Sequence, residues 1–393
     1  MNRIMGRANA IDSLRGAAAL AVVLLHAKGM LWVGTSATWA KYGLGFEPNA
    51  WLGYLSAPTL FGYLGVYLFF VLSGYCIHYR GAHNLAENTD TPLVVKAFAL
   101  RRFVRIYPVY FAALCVTVLV DSLVISNGLV QLDNNQDRTL FTFLANLLSL
   151  QGLLAPTFGS NGVLWTLSLE MHLYAVYPIL YYLSRKFDAK RTLIFTLLVS
   201  LAYIFIDDLL GVRQRLPAPY GIGPVFLSYW FTWTLGFYLA EVNAGRSSLP
   251  AGFYRISLLS ALTAIVLVLL GKFAYKQMVD TFFYDSVTTI CTAVAFGGLV
   301  SWSTTRRGKE FLDGIPGRFL AKVGVFSYSL YAIHVPVLLL YKSAIVALGI
   351  SMETLAPTAL GVMVSLLAGL LCFFAVEQWS LKSPVHESGA GMR

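Results

Sequence analysis

Charge is what this chain has least of. Only 12% of its 393 residues are Asp, Glu, Lys or Arg, while 57% are hydrophobic; a soluble domain carries about 25% charged residues. That deficit excludes an ordinary soluble protein. Cysteine is also sparse and never paired. Cys76, Cys115, Cys291 and Cys372 each sit alone in an apolar stretch, which excludes a disulfide framework and a zinc site and leaves them as packing residues. No metal-ligand constellation, internal repeat or low-complexity tract is visible. A cleavable signal peptide is not expected either. Arg3 and Arg7 precede an apolar run, but charge interrupts that run and no small-residue cleavage site follows, so the first helix reads as retained.

What the chain does have is apolar blocks of about 17–25 residues, the length that crosses a bilayer. Ten spanning helices are expected at roughly 10–33, 60–79, 103–125, 162–183, 192–210, 223–243, 254–271, 281–302, 322–346 and 355–378. The fold class is therefore all-α, a polytopic helix bundle filling one membrane domain over residues 1–393. The net charge of +10 does not call for nucleic acid, because juxtamembrane Lys and Arg explain it. With ten spans and both termini cytoplasmic, inner segments hold 20 basic residues and outer ones 8. Making 141–154 a further span would carry "SRKFDAKR" outside, against the positive-inside rule. Residues 141–154 are therefore expected to be re-entrant or interfacial.

Four clusters place ionisable groups where lipid would penalise them. In the first helix Arg15 and His26 are 11 residues apart, which returns them to within about 20° of one direction with ~16 Å of rise. Asp12 lies one turn before Arg15, close enough for a local ion pair. Asp12 and Arg15 also suit interfacial anchoring; His26 is too deep for that. The second cluster is "RRFVRIYPVY". Arg101 and Arg105 stand one turn apart beside Arg102, a positive-inside signal that also suits bidentate phosphate binding, and Pro108 is expected to bend or break the helix beyond them.

The third cluster is "VLWTLSLEMHLYAVYP", with Trp165, Glu170 and His172. A buried unpaired carboxylate is costly, so Glu170 requires a cationic or hydrogen-bonding partner, whereas His172 fits a satisfied core histidine. The fourth is "FSYSLYAIHVPVLLL", where His334 precedes "VP" and either serves function or bonds a carbonyl freed at the kink; Tyr331 is close by. "FFVLSGYCI" adds Ser73 and Gly74, which also suit close helix approach. Glu377 is placed to pair with an inner arginine.

Together these segments resemble the acyltransferase 3 family of integral membrane O-acyltransferases. "IDSLRG" with the Arg15-x10-His26 spacing, "FFVLSGY", "RRFVRIYPVY", "LWTLSLEMHLY" and "SYSLYAIHVPV" occur in the family's order from residue 11 to about 340. The departures are Leu173, where the family usually has an aromatic residue, and Glu377, followed by "QWSLKSP" rather than the usual x-Pro. The resemblance implies transfer of an acyl group, usually acetyl from acetyl-CoA, to a hydroxyl of a glycan or other small acceptor. It implies a bacterial inner-membrane location and a co-substrate rather than a permanently bound cofactor. It makes His26 the central catalytic residue, Arg15, Arg101 and Arg105 the essential arginines, and Glu170 the acid of the Trp-Thr-Leu-Ser-x-Glu segment.

The mechanism expected from this has cytoplasmic acyl-CoA docked on the inner arginines and a thioester threaded past Arg15 to His26. His26 acts as general base, and the oxyanion donor is Arg15, Tyr331 or the backbone near Gly74. The rival is a proton-coupled transporter with His26, Glu170 and His334 as relay. Transporters often show internal repeats, and a transporter gives no reason for three arginines at one mouth. The acceptor is expected to be chosen by outer segments 33–59 and 211–224. Trp32, Trp39 and Trp51, in or beside the first of these, suit interfacial anchoring or sugar stacking.

Overall fold

The computed structural model describes residues 10–32, 35–43, 45, 47–88, 90–128, 130, 136–210, 223–273, 282–352 and 355–382. Part of the outer segment 211–224 expected to bear on the acceptor, and both chain ends, lie outside these. The described residues form helices and turns. Among the described residues, eight helical segments are long and apolar enough to cross a bilayer: Ala10–Leu31, Ala50–Glu87, Val95–Asn127, Ala189–Leu210, Phe253–Gly271, Phe282–Thr304, Ser327–Ala347 and Leu355–Leu381.

The two remaining stretches of the expected ten are helical for a different reason. Leu164–Phe187 is rich in tyrosine and carries Glu170 and His172, which lowers its hydropathy. Trp230–Asn243 has 14 residues, about 21 Å of helix against a hydrocarbon core of about 30 Å. Every residue from Trp230 to Glu241 is buried. This helix is apolar all round because protein surrounds it.

The elements that frame the site are α1 (Ala10–Leu31), α2 (Thr35–Tyr42), α3 (Pro48–Leu55), α4 (Gly65–Glu87), α5 (Val95–Asn127), α6 (Leu140–Leu147), α7 (Leu164–Phe187), α8 (Ala189–Leu210) and α9 (Trp230–Asn243). They continue with α10 (Phe253–Phe273), α11 (Phe282–Thr304), α12 (Arg306–Leu312), α13 (Ile315–Val325), α14 (Ser327–Ala347) and α15 (Leu355–Cys372).

Small residues set two close crossings. A Cβ on Gly16 would lie 1.9 Å from the Leu320 carbonyl oxygen, and one on Gly324 1.9 Å from that of Asp12. Ser13 Oγ donates to Gly317 O at 2.9 Å. The "IDSLRG" stretch is thus a backbone-to-backbone seat for α13, and it orients Arg15. Gly74 and Gly236 make the same kind of crossing between α4 and α9, where added Cβ atoms would lie 1.9 Å from Trp233 O and Val71 O. Gly74 is therefore a packing residue. Inside an unbroken helix its N–H is committed to the preceding turn, which removes it from the oxyanion donors.

Three expected boundaries move. The helix expected at 322–346 breaks at Phe326 into α13 and α14. Pro108 does not end α5, which runs on to Asn127. After α15, one π-helical turn, Phe373–Glu377, swings Glu377 inward. Its Oε2 accepts the Ser329 hydroxyl at 2.6 Å and the Ser329 backbone N–H at 3.2 Å. Ser329 lies in the first turn of α14, whose N–H groups have no helical partner. The carboxylate caps that turn and also lies within electrostatic reach of Arg105 and Arg15, the inner arginines.

Residues 141–154 hold no helix long enough to cross a bilayer. α6 has eight residues, about 12 Å. The chain then folds back through Ser149, at φ 58°. Buried side chains satisfy the irregular backbone: Asn146 Nδ2 donates to Pro156 O at 2.9 Å, Asn146 Oδ1 accepts from Phe158 N–H at 3.0 Å, and Gln151 Nε2 donates to Leu164 O at 3.2 Å. Non-helical backbone is tolerated at membrane depth only where protein or water provides such partners.

Candidate active site

A cavity of about 260 Å³ opens among α1, α4, α5, α7 and α14. Arg15, Arg102 and Arg105 line it, with Glu170 as the carboxylate opposite them. Arg101 does not line it. Successive helical residues turn about 100°, and Arg101 falls on the far side of Arg105 from Arg102. Of the three arginines, Arg102 and Arg105 face the cavity. Arg102 lies over the Phe98 ring at 5.7 Å, and its Nε is buried without a hydrogen-bond partner among the described residues. Asp12 reaches Arg15 at 3.9 Å, the local pair that their spacing predicts.

Glu170 is held by hydroxyls. Ser73 Oγ donates to Oε1 at 2.8 Å, Tyr174 donates to the same oxygen, and Trp233 Nε1 donates to Ser73 Oγ at 3.1 Å. This meets the carboxylate's need for donors. Among the described residues Glu170 bonds neither His26 nor His334. His172 is the satisfied core histidine, its Nε2 2.9 Å from Ser149 O. Trp165 packs at 5.6 Å from the Tyr229 ring and does not line the cavity. Trp39 and Trp51 are exposed and flank Tyr54, as interfacial anchors do.

His26 is not in the cavity wall either. It pairs with His334 instead: His26 Nδ1 and His334 Nε2 are 2.9 Å apart, and the ring centroids 5.0 Å. Tyr331 joins pair to cavity. Its side chain lines the cavity, its hydroxyl lies 3.0 Å from Thr166 Oγ1, and its carbonyl oxygen lies 2.8 Å from His334 Nδ1. The shared face of α1 thus carries Arg15 in the cavity wall and His26 beyond it, with Tyr331 at the junction.

The kink at Pro336 frees a different carbonyl from the one His334 uses. Proline has no N–H, so the carbonyl four residues earlier loses its helical donor. That carbonyl belongs to Ala332, and Asn161 Nδ2 donates to it at 3.0 Å. Asn161, in "GSNG", reads in sequence only as a break between helices. A second unforeseen group is His78 with Glu241 and Arg246, a fully enclosed pair and its cation. The available signal was an ionisable residue near the inner end of each of two apolar helices, which reads first as interfacial.

A family model described as acyltransferase domain, of the acyltransferase 3 type, matches residues 8–377. The chain is also similar to acyltransferase MdmB of Streptomyces mycarofaciens, 25% identical over 287 residues, covering 70% of this chain and 68% of the relative. No solved structure matches it. A family match across nearly the whole chain, together with a helical bundle built to cross a bilayer, makes this protein a member of the acyltransferase 3 family of membrane acyltransferases.

Proposed function

We propose that this chain is a membrane O-acyltransferase of the bacterial inner membrane that moves an acyl group, acetyl from acetyl-CoA, onto a hydroxyl of a glycan or other small acceptor. The observation that carries the reading is the cavity itself. It sets three arginines against one carboxylate that hydroxyls already hold, and its Tyr331 wall leads to a histidine pair. Guanidinium groups that line a low-dielectric pocket, their nearby carboxylates Asp12 and Glu377 outside its wall, suit an anionic ligand, and acyl-CoA is a polyanionic donor made in the cytoplasm. With both chain ends on that side, the Arg102 end of α5 faces the donor.

In this mechanism Arg102 and Arg105 hold the donor's phosphates, and Arg101 adds positive potential at the rim. Arg15 and the Tyr331 hydroxyl are the candidate donors to the thioester oxyanion. The acceptor oxygen attacks the thioester carbon and its proton passes to His26. The carbon–sulfur bond then breaks and the CoA thiolate takes up a proton. General-base help of this kind is worth typically 10²–10⁴-fold.

The test uses detergent-purified protein, radiolabelled acetyl-CoA and crude cell-envelope glycans. Wild type is compared with His26→Gln and with Arg102→Ala/Arg105→Ala. Transfer by wild type, loss of about 10²–10⁴-fold in His26→Gln and a raised donor requirement in the arginine variant are the expected results. Full transfer by folded His26→Gln overturns the assignment.

A further inference from the structure

We infer that His334 is a positioning residue that locks His26 in a single tautomer, with the hydrogen on Nδ1 and the lone pair on Nε2. The inference rests on the acyl-transfer reading and assigns His334 its part in it.

The assignment starts from a group with no choice. A backbone carbonyl only accepts. His334 Nδ1 lies 2.8 Å from Tyr331 O, so Nδ1 carries the hydrogen. His334 is wholly buried, and a charged imidazolium there would be costly without a counter-ion. The ring is therefore neutral, and its Nε2 is an acceptor. The atom facing that lone pair, at 2.9 Å, is His26 Nδ1. His26 Nδ1 must then donate, and in a neutral imidazole the other nitrogen is bare. The nitrogen left with a lone pair is His26 Nε2, the one not engaged by His334.

The chemistry needs that arrangement. When the acceptor hydroxyl gives its proton to His26 Nε2, the imidazolium keeps its Nδ1–H on His334. No proton has to move further, and the neutral His334 accepts from the charged ring.

The fold supports the lock from behind. Pro336 leaves Ala332 O without a helical donor, and buried Asn161 supplies one at 3.0 Å. This pins the bent turn of α14 that presents both Tyr331 O and His334. The tautomer of His26 is thus set by a chain running from a proline kink through two buried residues.

The experiment is nitrogen-15 NMR on full-length, detergent-purified protein labelled in its six histidines, with acetyl-transfer kinetics on the same samples. The His26 signals are those lost in His26→Gln. Wild type is expected to show a protonated Nδ1 and a bare Nε2 at His26. In His334→Phe, which keeps a ring but no acceptor and leaves the Val22 backbone as the remaining partner of the His26 ring, a second tautomer is expected beside the first. There kcat should fall about 10–10²-fold with KM for acetyl-CoA within about twofold, less than the roughly 10⁴-fold seen when the orienting acid of a catalytic triad is replaced. His334→Gln, whose carbonyl oxygen again accepts, should restore one tautomer and most of kcat. A wild-type His26 with protonated Nε2 overturns the proposal whatever the variants do, as does an unchanged tautomer and kcat in folded His334→Phe. Full transfer by His26→Gln would instead overturn the general-base reading and leave the tautomer result to stand or fall separately.

Discussion

His78 Nε2 lies 2.7 Å from Glu241 Oε1, and both side chains are closed off inside the bundle. Ser184 Oγ donates to the same oxygen at 2.8 Å, and Arg246 Nε to the other at 2.6 Å. His78 stacks on Phe237 with centroids 3.5 Å apart, and its Nδ1 is 3.0 Å from the Tyr177 hydroxyl. The network ties α4, α7 and α9 together at one level. Removing one partner of a buried pair leaves the others uncompensated and destabilises by about 3–5 kcal/mol. Glu241→Ala should therefore unfold at markedly lower denaturant than wild type in a detergent titration. Glu241→Leu/Arg246→Leu, which removes the carboxylate together with its cation, should recover part of the loss. An unchanged midpoint in Glu241→Ala would show that the network contributes nothing.

Two glycines on α1 should behave in opposite ways. A Cβ at Gly16 would meet the backbone of Leu320, while one at Gly29 meets nothing within 4 Å. Gly16→Ala must push α13 away, an overpacking that costs about 1–3 kcal/mol or more. Gly29→Ala should be neutral or stabilise by about 0.5–1 kcal/mol, since alanine is the better helix former. Thermal unfolding of the two variants side by side gives the answer, and equal midpoints would contradict the close crossing.

Donor binding should separate Arg102 from its neighbour. Arg102 lines the cavity and Arg101 does not. A hydrogen bond to a charged group is worth about 1.5–3 kcal/mol, which corresponds to a factor of about 10–150 in affinity. Arg102→Ala should weaken acetyl-CoA binding by that factor, and Arg101→Ala by less than about threefold, an effect that added salt screens. Isothermal titration on both variants decides it, and a reversed order would place the donor outside the cavity.

Glu377 caps α14 through Ser329, with Arg105 and Arg15 within electrostatic reach. Glu377→Gln keeps an acceptor for Ser329 and should change stability by less than about 1 kcal/mol, whereas Glu377→Leu leaves buried donors unmet at about 1–3 kcal/mol. If Glu377→Gln instead weakened donor binding as strongly as Arg102→Ala, the capping account would be wrong.

Much of the architecture was legible before any coordinate. The apolar blocks marked the long helices, and the basic residues argued that 141–154 stays out of the span count. One block shows a limit of that signal: hydropathy does not distinguish lipid from protein as the apolar neighbour. Trp230–Asn243 is apolar because it is the centre of the bundle. The site was legible in part. Arg15 and Arg105 were marked by their positions in apolar helices, but their neighbour in the cavity, Arg102, depends on which way α5 faces, and that is a matter of packing.

Composition, block length and charge asymmetry by themselves determined that this is a helical membrane protein, and motif order pointed to its family. These are one-dimensional properties, set by what a bilayer excludes. The pairings were decided only in three dimensions. His26 and His334 are 308 positions apart, Ser73 and Glu170 97, and Asn161 and Ala332 171. A buried polar group takes whichever partner the helix crossings bring within about 3 Å. Those crossings are set by glycines such as Gly16 and Gly74, whose contribution lies in what they leave out.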